Sequence, residues 1–141
     1  MLSRSIAITF YCLCILSMPC FAGSDIIEIK SNGKLFKVHD FFKDAGATTD
    51  KYGTCTLRSN DRYFISYFKE GKFVISISGM SNLDRNRKEA EHDFLSLLQV
   101  TKEQACKINP DVFFPAMHGK SGGPSFRLSF CPGSKSSPTD L

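Results

Sequence analysis

SNLDRNRKEAEHDFLSLLQVTKEQACKI, residues 81–108, is the one long stretch of this chain with helical periodicity. Ala90, Phe94, Leu97 and Leu98 recur at spacings of three and four, which places them on one face of a helix. Arg85, Lys88, Glu89, Glu91 and Asp93 crowd the remaining positions, so the pattern predicts an amphipathic helix with a solvated charged side. Asp84 is placed to cap its start, and the helix should stop near Gln99. Thr101-Lys102-Glu103-Gln104 then fits a capping box, because Gln104 falls at the third position of a second, short helix. That turn carries Cys106 and Ile108 towards the core and ends at Asn109-Pro110-Asp111.

Most of what flanks the helices reads as short strands. Asn32-Gly33 joins two alternating runs between Asp25 and Val38 and tolerates the positive φ of a tight hairpin. HDFFKDAGA, residues 39–47, predicts one helical turn that buries Phe41 and Phe42 and ends at Gly46. A three-stranded meander follows over 54–58, 63–68 and 73–78. In its last strand Phe73, Ile75 and Ile77 alternate with Val74, Ser76 and Ser78, the mark of a sheet with one buried face. Apolar residues occupy both sides of 63–68, which suits a central strand; an exposed aromatic strip is the sharper alternative. Val112–Met117 contains Pro115, which restricts it to an edge or a bulge. HGKSGGPS is a loop, and Phe126–Cys131 reads as the closing strand, with Phe126, Leu128 and Phe130 on one side. The fold class is therefore α+β: a single domain with an antiparallel sheet of about five to seven strands, one long amphipathic helix packed on one face, and a short second helix.

The first 22 residues read as a signal peptide. MLSR supplies positive charge, Ser5–Met18 is mostly apolar, and Pro19-Cys20-Phe21-Ala22 ends in the small residue a signal peptidase requires. The apolar run is shorter than the roughly 20 residues of a membrane span. An uncleaved anchor is the alternative. The expectation is an exported protein, periplasmic or secreted, with its domain over 23–131 and a polar, disordered tail over 132–141. Eighteen basic residues against 14 acidic ones give a net charge of +4 without any basic stripe, so nucleic acid is not an expected partner. Nor is a membrane, once the leader is removed.

Cys12, Cys14 and Cys20 leave with the leader, and Cys55, Cys106 and Cys131 remain. Three pairings are open in an oxidising compartment, and the sequence does not choose among them. Cys106–Cys131 is the attractive one, because it would tie the helical region to the closing strand. Cys55 would then be a free thiol, either buried or cross-linked to another molecule.

Few residues invite a chemical reading. Gly119-Lys120-Ser121 lacks the earlier glycine and the following helix of a phosphate loop. Lys120-Ser121-Gly122-Gly123-Pro124 is similar to the nucleophile stretch of trypsin-like serine proteases, and His39, Asp50 and Ser121 fall in that family's chain order. Lys120 stands where the family has Asp, the context of His39 differs, and the chain is too short for two barrels. His39, His92 and His118 make no pair at zinc spacing, so no metal or cofactor is expected. Glu89 and Asp93 share a helix face as an exposed, solvated pair.

LLQVTKEQACKI, followed by a proline-bearing strand, a glycine-rich loop and LSFCPG, resembles small exported bacterial proteins of uncharacterised function. The resemblance covers about Phe94 to Gly133 and rests on a Leu-rich helix, a capped turn bearing Cys and a closing strand bearing a second Cys. It implies export and a structural cystine between Cys106 and Cys131. Gln99 stands where such proteins favour glycine. No activity is implied. The functional expectation is a non-enzymatic exported protein that binds another macromolecule, with no catalytic residue assigned and oligomeric state open. A secreted inhibitor or effector of another enzyme, or a small hydrolase using Ser121, is the alternative.

Overall fold

The computed structural model describes residues 25–79, 81–115 and 124–138. The expected leader over 1–22 and the residues His118 and Ser121 lie outside them. Two antiparallel strands, β1 (Ile26–Ser31) and β2 (Lys34–His39), form a hairpin about Asn32 and Gly33, both with positive φ. A 3-10 turn (Phe41–Lys43) leads to the short β3 (Thr48–Thr49). The meander follows as β4 (Cys55–Ser59), β5 (Tyr63–Phe68) and β6 (Lys72–Ile77). Helix α1 (Leu83–Leu98) and helix α2 (Lys102–Ile108) connect β6 to β7 (Asp111–Phe113).

The architecture is α+β in one compact domain. It holds two sheets rather than the single one expected: the hairpin, and a five-stranded sheet in the order β3-β4-β5-β6-β7. That larger sheet is antiparallel except at β7, which runs parallel to β6. A parallel neighbour requires a long crossover, and α1 with α2 supplies it.

The core lies between α1 and one face of the larger sheet. Tyr63, Ile65 and Tyr67 of β5 and Phe73, Ile75 and Ile77 of β6 all point into it and are buried. Ala90, Phe94 and Leu98 of α1 meet them with no exposed surface, and Leu97 is half-buried. The Phe94 ring stands 5.4 Å from that of Phe73 at 81°, an edge-on contact. Phe41 joins the cluster, 5.5 Å from Tyr67 and 5.8 Å from Phe73. Phe42 does not. It remains 47% exposed, because a single 3-10 turn directs only one of two adjacent side chains inward.

The two helix starts differ. Thr101 caps α2 as expected: its hydroxyl accepts from the Gln104 N–H, and the Gln104 side chain accepts from the Thr101 N–H. Asp84 does not cap α1. The capping position is Asn82, in left-handed conformation, and Asp84 sits one position inside the helix, paired with Lys88. The far end of α2 is closed by the hairpin, where the Ser31 hydroxyl and the Asn32 amide donate to the carbonyl of Ile108.

Phe126–Cys131 is not a strand. Only Phe126 bridges to Val112, and the chain then turns. The reason lies in α1: Arg87 takes the carbonyl of Arg127, and Glu91 takes the N–H of Ser129, so these groups are not free to form a ladder. The polar segment beyond Cys131, expected to be a disordered tail, is described to Pro138 and hydrogen-bonds to the same arginine.

Candidate binding surface

Asp84, Arg85, Lys88, Glu89 and His92 follow one another along the outer side of α1, at spacings that repeat every turn. Opposite them stand Arg62, in the β4–β5 turn, and Tyr63, the first residue of β5. Between the two sides runs a shallow groove of about 780 Å³, closed at its base by Asp93. Asp93 accepts from the Tyr63 hydroxyl at 2.8 Å and lies 3.4 Å from Nε of Arg58. Glu89 is held by two guanidinium groups, those of Arg62 and Arg85. The Glu89–Asp93 pair therefore does share a face, but each carboxylate is half-buried and engaged by cations rather than solvated alone.

These contacts shift two groups of the groove. Burial, then the hydrogen bond to Asp93, pushes the Tyr63 phenol up. The Lys88 ammonium, 2.7 Å from Asp84, holds that carboxyl below the usual carboxylate range. Neither group is poised to exchange a proton near neutral pH.

On the other flank of α1, Leu95 and Phe130 floor a smaller cleft of about 320 Å³. Lys88 and His92 border both hollows. At the side of this cleft the buried carboxylate of Glu91 accepts from Nε of Arg87 at 2.9 Å and from the N–H of Ser129 at 2.6 Å. Arg87 in turn donates to the carbonyl of Lys135 and to the hydroxyls of Ser134 and Ser137. Their side chains are 1% and 3% exposed, so the expectation that this part of α1 is a solvated charged side is corrected. Arg87 and Glu91 lie on one helical stripe with Leu83, Phe94 and Leu98, at spacings of three and four, and that spacing was the available signal.

Cys106 and Cys131 stand at disulfide distance, Cα to Cα 5.6 Å. Cys55 is fully buried in β4, and burial pushes its thiol up, away from the reactive thiolate form. His39 is paired with Asp44 at 2.7 Å. Asp50 instead accepts from the N–H groups of Tyr52 and Thr54, so it does not orient His39. Among the described residues no group of three His, Cys, Asp or Glu is arranged to hold a metal, and no helix is long and apolar enough to cross a membrane.

No family model, curated protein or solved structure matches this chain. The described surface presents charges of both signs held in ion pairs, and a recessed floor of Leu95 and Phe130.

Proposed function

We propose that this is an exported, non-enzymatic protein that acts by binding another macromolecule through the outer side of α1. The observation that carries the reading is the groove between α1 and the β4–β5 turn, where Arg62 and Arg85 share the carboxylate of Glu89 and Lys88 pairs with that of Asp84. Ion pairs in such a position are worth little to the fold, on the order of 0–1 kcal/mol each. They are well suited to set the orientation and speed of a protein encounter. The cystine between Cys106 and Cys131 supports export, since disulfides persist outside the reducing cytosol.

A photo-crosslinking residue at position 85 tests this, with position 37 on the hairpin as control. Crosslinks should form at 85, not at 37, and disappear with Arg62→Glu plus Lys88→Glu. Equal crosslinking at both sites, or none at either, would defeat the binding reading. Labelling of Ser121 by a fluorophosphonate would overturn its non-enzymatic part. Recovery of the protein in the cytosolic fraction would remove the export.

A further inference from the structure

The cleft on the far flank of α1 differs from the groove in having an apolar floor. Leu95 and Phe130 are half-buried there, and Lys102 sets its Nζ 5.3 Å from the centroid of the Phe130 ring. Among the described residues no carboxylate pairs with Lys102, which instead makes a weak cation–π contact with Phe130. Lys88 and His92 complete the rim, with side chains 66% and 80% exposed. The one acid in the cleft, Glu91, is neutralised by Arg87 and by Ser129. An apolar floor is thus flanked by two lysines, of which Lys102 is in no ion pair among the described residues, and its own negative charge is already matched.

We infer that this cleft receives a single apolar side chain of a partner protein flanked by aspartate or glutamate, in an extended acidic segment. The inference rests on the proposal that the protein binds a macromolecule, and adds the chemistry of what is bound. At about 320 Å³ the cleft stands at the small end of ligand sites, enough for one anchoring side chain and not for a folded surface. A ring or branched chain entering it covers Leu95 and stacks on Phe130, while Lys102 exchanges the ring for a carboxylate. Anchors of this kind carry most of the energy of a small interface, and flanking charges set which segment is accepted. Nucleic acid is the poorer occupant, because two separated lysines do not track a phosphate backbone.

The test titrates the purified protein, labelled for amide NMR, with three blocked pentapeptides. One carries phenylalanine between two pairs of acidic residues, one has alanine in its place, and one has lysines in place of the acids. The acidic phenylalanine peptide should shift the amides of Leu95, Lys102 and Phe130 and bind at least about tenfold more tightly than the other two. Lys102→Glu should weaken it about tenfold, roughly 1.4 kcal/mol, with the rest of the spectrum unchanged. Shifts mapping elsewhere, equal affinity for the basic peptide, or no effect of Lys102→Glu would overturn the assignment. So would Lys102-dependent binding to phosphatidylglycerol vesicles without peptide binding. If Lys102→Glu has no effect on the peptide while the reversals at Arg62 and Lys88 still abolish crosslinking, the cleft assignment fails and the broader proposal stands.

Discussion

Replacing Glu91 with alanine should destabilise this protein more than any change on the outer side of the same helix. The carboxylate is 3% exposed and accepts from Nε of Arg87 and from the N–H and hydroxyl of Ser129. Removing it leaves the Arg87 guanidinium buried at 1% exposure beside the rings of Phe114 and Phe126, with Nε and the Ser129 N–H unmatched. Breaking a buried pair from one side costs about 3–5 kcal/mol, a large share of the roughly 5–15 kcal/mol that holds a domain of this size. Arg85→Ala, at a residue 74% exposed and also paired i,i+4, should cost no more than about 0.5 kcal/mol. Urea unfolding followed by circular dichroism measures both, and the Glu91 variant should melt roughly 10–15 °C lower. The double change Arg87→Met with Glu91→Leu should cost less than the two single changes together, by about 1–3 kcal/mol. A Glu91→Ala protein within 1 kcal/mol of the parent, or a strictly additive double variant, would refute the claim that the pair latches residues 126–138 to α1.

Other expectations follow from the same structure. Reducing the cystine, or replacing Cys106 and Cys131 with serine, opens a 25-residue loop and should lower stability by about 3 kcal/mol in the chain-entropy model, measurable by urea unfolding with and without reductant. Gln99 ends α1 at φ 52, a left-handed conformation that glycine adopts freely, so Gln99→Gly should raise the melting point, by about 0.5–1 kcal/mol of stability. Gly71 has φ +85, and a Cβ there would lie 2.5 Å from the Lys30 carbonyl oxygen; Gly71→Ala should push the hairpin off the β5–β6 turn and destabilise by at least about 1 kcal/mol, with amide shifts centred on β1. The Asp84 carboxyl is lower in the folded than in the unfolded chain, so its contribution is present above the unfolded value and lost as pH falls through the folded one. A carbon-detected NMR titration should place its midpoint below that in Lys88→Met, and equal midpoints would contradict the pairing.

How much of this was legible in the chain depends on how local the physics is. The Asn32-Gly33 hairpin, the Thr101–Gln104 capping box, the alternation of β6 and the Ala90–Phe94–Leu98 stripe are set by dihedral preference and periodicity within a few residues, and they stand as read. The sequence alone thus determined the α+β class and which helix faces the sheet. Tertiary structure decided the rest. It made β7 parallel to β6, because that choice depends on where a crossover lands rather than on β7 itself. It turned Glu91 from an expected surface charge into one half of a buried pair with Arg87, because a charge is cheap to bury only when partners more than thirty residues away supply its hydrogen bonds. It also kept Phe126–Cys131 from becoming a strand and built the cleft beside α1, since both need α1, α2 and the returning chain in one place. Periodicity reports which way a side chain points; only the folded chain reports what meets it there.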